Sequence, residues 1–396
     1  MKIRIIRSAL VAAFIALAVP AVAHHGPGTF ELGKTVKFPE ATLTKLDFIN
    51  PHSWLYFETK EADGKIMKHR CEMRSAHVLR RSGWDPAMFK SGEKIAIEAS
   101  PDRADPASCY LQTITFASGT HMDRYGQYVK AGGGEIKEVR GQIVKPDVSK
   151  REARRPSGEP NITGDWAPEQ VVMANPKGTG GGLVPLSTLK TIDEGGGPQR
   201  GGGGGRGRGA QTGPRLYGGT ELTEQGTKEA AAFRQREDNP RFSCQTTSIL
   251  FDWTFDGPVN RITQNKDTIV IQYGQMNLKR TIYMNQKTHP ANVKLTRAGH
   301  SIGNWENDVL VVDTVGFAPG VLNAPVRNSD KLHVVERFSL DPKTMKMTRA
   351  YTAEDPVYLK GKYTGQDVVE VADKPYTEDH CKDQTTLDYS KVSQKK

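Results

Sequence analysis

The chain has 396 residues, a formal net charge of +10 and 36% hydrophobic residues, enough length for two domains with real cores. After the first 23 residues no run is apolar enough to cross a bilayer as a helix, which argues against a transmembrane segment. The positive balance lies partly at the N-terminus and in an Arg-bearing glycine stretch, so it says little about the folded parts.

Residues 1–23 read as a secretory signal peptide. Lys2, Arg4 and Arg7 precede an apolar Ala9–Val19 run, Pro20 breaks it, and Ala21-Val22-Ala23 offers small residues for cleavage. Cleavage after Ala23 makes His24 the first residue and predicts a periplasmic or secreted protein. Nucleic acid is then not an expected partner. Anionic lipid or polysaccharide is the acidic surface that fits. Four cysteines in an exported chain predict two disulfides. Three pairings are possible, and Cys71–Cys109 with Cys244–Cys381 is favoured because each would close one domain. No two cysteines have the C-x-x-C spacing of a redox or zinc motif.

From 24 to 119 the pattern predicts a small OB-like barrel. Its strands are Val36–Phe38 with Ala41–Phe48, Trp54–Glu58, Ile66–Met73, Lys94–Ala99 and Tyr110–Phe116. Ala62-Asp63-Gly64-Lys65 supplies a hairpin turn. Ser75 caps a short helix, Ala76–Arg81, that stops at Gly83. Residues 120–160 read as a polar connector with one strand-like segment, Ile136–Val144. A second domain, 161–385, carries an insertion at about 176–219 whose glycine-rich composition cannot bury a core and predicts disorder.

After a helix ending near Phe233, strands follow at hairpin spacing: Ile249–Phe255, Val259–Gln264, Thr268–Tyr273, Leu278–Met284, Ser301–Trp305, Val309–Val315, Leu332–Leu340, Met345–Ala353 and Tyr363–Val371. This predicts an antiparallel meander closed into a larger barrel, which removes exposed edges. Residues 386–396 read as a disordered tail. The fold class is mainly β.

Four motifs mark the first domain: His24-His25, Ile49-Asn50-Pro51-His52-Ser53-Trp54, Arg80-Arg81-Ser82-Gly83-Trp84 and Gly92-Glu93-Lys94-Ile95. In that order they resemble an uncharacterised family of exported bacterial domains (the domain of unknown function of 6152 type). Ser82 is an extra residue in the third motif. Ile162–Trp166, Gly299–Glu306, Leu310–Phe317 and Leu332–Phe338 resemble a second uncharacterised exported family. The Gly164-Asp165-Trp166 start is also similar to the first strand of lipocalins. Neither resemblance implies an activity.

Two sets of residues carry candidate chemistry. A mature N-terminal His24 offers an amine and an imidazole. With His25 and His52 it forms a candidate copper site, to which Met73 or His69 could add a contact. The plainer alternative is a solvated terminus and a His52 that bonds a loop carbonyl. Asn50 reads as a turn residue and Trp54 as core. In the second domain, alternation places Asp313 with Val309, Val311 and Val315, and Glu336 with Leu332, Val334 and Phe338. If both faces point inward, two buried carboxylates need partners. With His300 and Trp305 they would line a ligand site. Ser301 fits an elbow pattern by letter but lacks the following helix. The expected function is binding of a small molecule or metal ion. The alternatives are a copper- or carboxylate-dependent enzyme and a structural envelope protein. Oligomeric state is not legible.

Overall fold

The computed structural model describes residues 30–124, 127–130, 137–140, 146–173, 183–185 and 220–384. The cleavage site, His24, His25, most of the glycine-rich insertion and the C-terminal tail lie outside them.

The first strands are β1 (Val36–Asp47), β2 (Trp54–Lys60) and β3 (Ile66–Glu72), followed by α1 (Ala76–Arg81), β4 (Lys94–Pro101) and β5 (Ser108–Phe116). They pair in the order β3-β2-β1-β4-β5, and β3 also pairs with β5. The β3–β5 pairing is parallel and closes a five-stranded ring, with Cys71 opposite Cys109. This is the OB arrangement, with α1 where that fold places its helix. Ser75 caps α1 by accepting from the Val78 amide at 3.4 Å. Alternation on these strands buries Leu43, Leu55, Phe57, Ile95, Ile97 and Leu111 in one core. The Cys71–Cys109 disulfide staples that core. The segment expected to be a polar connector with one strand-like stretch, Ile136–Val144, adds strands to this sheet: β6 (Thr120–Asp123), β7 (Gln127–Lys130) and β8 (Lys137–Arg140), the last within that stretch.

The second barrel opens with β9 (Gly164–Pro168), and β10 (Val171–Met173) with β11 (Leu183–Pro185) form a side ribbon. Two helices follow, α2 (Glu224–Ala232) and α3 (Gln235–Asp238). Then come β12 (Asn260–Gln264), β13 (Thr268–Gln272), β14 (Lys279–Tyr283), β15 (His300–Glu306) and β16 (Val309–Val315). A ribbon of β17 (Gly320–Asn323) and β18 (Val326–Asn328) precedes β19 (His333–Leu340), β20 (Lys346–Glu354) and β21 (Lys362–Val371). Nine strands close in the order β12-β13-β14-β15-β16-β19-β20-β21-β9. All pairs are antiparallel except β14–β15, where a long loop brings the chain back in the same direction.

One expected strand is not a strand. Ile249–Phe255 forms tight turns in which the Asp252 amide bonds the Ser248 carbonyl and the Phe255 amide bonds that of Phe251. The segment is apolar because it fills the barrel: Ile249, Leu250 and Trp253 are fully buried with Tyr273, Phe338 and Met347. An apolar run of that length does not distinguish a strand from a buried plug.

The two barrels meet across a polar seam built from the first domain's motifs. The Asn50 amide donates to Asp379 at 2.7 Å, and Arg81 Nε to Asp373 at 2.9 Å. Arg81 Nη1 also reaches the Pro168 carbonyl at 2.8 Å. Cys244–Cys381, the second expected disulfide, holds the C-terminal segment in this seam.

Candidate functional site

Strand β16, Val-Leu-Val-Val-Asp-Thr-Val, is apolar on both faces, so alternation alone does not say which face is inside. The buried set is Leu310, Val312 and Thr314. Asp313 therefore faces outward, correcting the expectation that it shares a buried site with Glu336. Glu336 is inside as expected and fully buried.

Glu336 is not left open for a ligand. Arg280 Nη2 lies 2.5 Å from its Oε2 and Arg349 Nη1 3.2 Å from its Oε1. Arg349 also pairs with Asp367 at 2.6 Å. It donates to the carbonyls of Ile249 and Leu250 at 3.0 and 2.9 Å, tying the plug to the wall. Arg280 donates to Ser301 Oγ at 2.9 Å and to Thr314 Oγ1 at 2.8 Å. Two guanidiniums and two carboxylates balance in charge within the barrel. Burial pushes the Asp367 carboxyl upward, against the pull of Arg349. Ser301 is an inward strand residue whose hydroxyl accepts from Arg280. Trp305 packs its half-buried ring against the core.

On the outer wall, Asp313 gathers three imidazoles. His289 Nε2 lies 2.8 Å from Asp313 Oδ1, and His333 Nε2 lies 2.8 Å from Oδ2. The other nitrogen of His289 meets His300 Nδ1 at 2.8 Å. His300 stacks on Tyr283 with centroids 5.1 Å apart. Gly299, at φ 67°, turns the chain into β15; a Cβ there would fall 2.7 Å from Thr314 Cγ2. The hydrogen bonds from His333 and His289 hold the Asp313 carboxyl below its ordinary range, and Asp313 raises His333 in return. Desolvation and the neighbouring His289 lower His300. His300 and Asp313 were legible as candidates. His289 and His333 were not, because a loop and a strand register bring them in.

His52 sits in the seam. Its Nδ1 lies 2.9 Å from Glu72, its ring meets Phe242 edge-on, and its carbonyl accepts from Gln384 at 2.8 Å. His69 bonds Thr59 and stacks on Phe57, and Met73 is core. Among the described residues, no group of three or more His, Cys, Asp or Glu side chains is arranged, as it stands, to hold a metal ion.

A polar cavity of about 560 Å³ opens where α2, α3 and the β17–β18 ribbon meet, with Arg297, Arg327 and Tyr358 in its wall beside Glu229, Glu237 and Asp238. Arg327 is engaged by Glu229 at 3.3 Å and Asp238 at 3.5 Å. Arg297 is different. It is half-buried, burial lowers its pKa, and its Nη1 has no hydrogen-bond partner among the described residues. It fits only because position 320 is glycine: a Cβ there would lie 1.3 Å from Nη1. The acid it feels is Asp252, fully buried, whose carboxyl burial pushes up to about 7. None of the cavities described is lined by Asp313, Glu336, His300 or Trp305.

Residues 12–109 match the model of a family of unknown function (DUF6152), a match confined to the N-terminal part of the chain. Nothing among the curated proteins matches the chain.

Proposed function

We propose that this is an exported protein that binds a small molecule bearing a carboxylate or similar oxyanion, in the cavity at Arg297 of the second barrel. The observation that carries the reading is the half-buried guanidinium of Arg297, whose Nη1 has no hydrogen-bond partner among the described residues, while its neighbour Arg327 pairs with two carboxylates. A partly desolvated charge with an unmet N–H donor is costly, and a bound anion relieves that cost. The cavity is of small-molecule size. Export rests on the N-terminal pattern, and the two disulfides are consistent with it. The interior of the barrel, filled by the plug and the Glu336 network, favours this end cavity over an enclosed lipocalin-like pocket.

The test starts from chain recovered outside the cytoplasm, whose mass should correspond to a start at His24. Succinate and citrate are then titrated by calorimetry. Arg297→Ala should lower affinity about 10- to 100-fold, the weight of one charge-assisted hydrogen bond. Gly320→Ala should act in the same direction by displacing the guanidinium, while Arg337→Ala, on the exposed outer wall, should not. Equal affinity in wild type and both site variants rejects the assignment.

A further inference from the structure

The Asp313 cluster lies on the outer wall of the barrel and is not part of the anion site. Its residues come from three strands and a loop: His300 from the start of β15, Asp313 from β16, His333 from the start of β19, and His289 from the loop before β15. In register, His300 stands opposite Val315 and Asp313 opposite Val335, so His300, Asp313 and His333 share one face of three adjacent strands. Strands of a closed barrel hold such positions more rigidly than loops do. Asp313 and His333 are about two-fifths exposed and His289 about one-fifth, so the group is reachable from solvent.

We infer that His289, Asp313 and His333 form a binding site for a divalent transition-metal ion of the zinc type, with His300 as the outer hydrogen-bond partner of His289. Two imidazole nitrogens and a carboxylate are the donor set such ions take, at about 2.0–2.2 Å each. Donors at those distances around a tetrahedral ion stand about 3.3 Å from one another. The two contacts at Asp313, both 2.8 Å, already bring each imidazole Nε2 close to that spacing from a carboxylate oxygen. The Asp313 carboxylate sits between the two rings, with one oxygen on each Nε2. Binding requires Asp313 to turn so that both Nε2 atoms and one carboxylate oxygen face a single ion; each ring then carries one proton on Nδ1, that of His289 donated to His300 Nδ1, and any second proton goes to solvent.

His300 strengthens the case. A metal-ligating histidine characteristically hydrogen-bonds through its other ring nitrogen, which fixes tautomer and orientation. His289 does so: its Nε2 faces Asp313 and its Nδ1 faces His300 at 2.8 Å. The stack on Tyr283 fixes the His300 ring in turn.

The experiment is a calorimetric titration of the full mature chain with Zn(II) at neutral pH. It should be run on wild type and on His333→Ala, Asp313→Asn, His300→Gln and a His24→Ala/His25→Ala variant that removes the terminal imidazoles. One binding event should persist in the terminal variant and weaken at least 100-fold in His333→Ala and Asp313→Asn. His300→Gln should weaken it about 10- to 100-fold, the usual effect of losing an outer partner. Thermal melts without metal check folding, and these outward positions should leave them nearly unchanged. A metal-free wild type, or one whose Zn(II) affinity is the same in His333→Ala and Asp313→Asn, overturns the inference. So does binding that disappears only with His24 and His25.

Discussion

Glu336→Gln should destabilise the second barrel by about 3–5 kcal/mol, the usual result of removing one partner from a buried ion pair. Glu336 is fully buried against Arg280 and Arg349, which are themselves buried. Gln keeps the shape but removes the charge, leaving two guanidiniums against Asp367 alone. Urea unfolding followed by tryptophan fluorescence should show the loss, since Trp253 lies among these side chains. A combined Glu336→Met/Arg280→Met variant should cost less, because no unpaired buried charge remains. A loss under about 1 kcal/mol in the single variant would mean that the interior admits water around the network.

Asp252→Asn should change stability in a pH-dependent way. Burial raises the Asp252 carboxyl from 3.8 to about 7, although Arg241 pulls it down. The folded state therefore holds a proton that the unfolded chain releases. This contribution is fully present below about pH 4 and is lost as pH rises through 7. Asn resembles the protonated acid and can still accept from the Thr247 amide, now bonded to Asp252 at 2.8 Å. The two proteins should be nearly equal near pH 4. By pH 8 the variant should be more stable by about 4 kcal/mol, roughly three pKa units of differential protonation. Urea midpoints measured from pH 4 to 8 test this, and a difference that stays flat with pH would contradict it.

The first barrel was legible because its strands alternate cleanly and its turn and cap residues agree with them. Ser75 caps where expected, Gly64 turns at φ 86°, and the two central cysteines meet across β3 and β5. The second barrel was legible as a succession of strands, with two exceptions. Val309–Val315 is apolar on both faces, and Ile249–Phe255 alternates apolar with mostly polar residues as a strand does, so periodicity alone misplaces both. For β16 this hid which face holds Asp313. For Ile249–Phe255 it hid a plug that turns inside the barrel and binds Arg349 through its carbonyls. Asn50 and His52 read as turn and ligand residues, and Arg81 as the end of a short helix. They form the seam, because their partners Asp379, Gln384 and Asp373 lie more than 290 residues away.

The sequence by itself determined the mainly β class and the two barrels, favoured one cysteine pairing of three, and predicted the export signal. These follow from local alternation, turn chemistry and composition, which need no knowledge of distant contacts. Tertiary structure alone decided the sites. Strand register carried Asp313 to the outer wall beside three histidines, and closure placed Glu336 between two buried arginines. A glycine at 320 left Arg297 room at the end of the barrel. Each of these depends on which distant residue arrives opposite, and a side chain's chemistry is set by that neighbour.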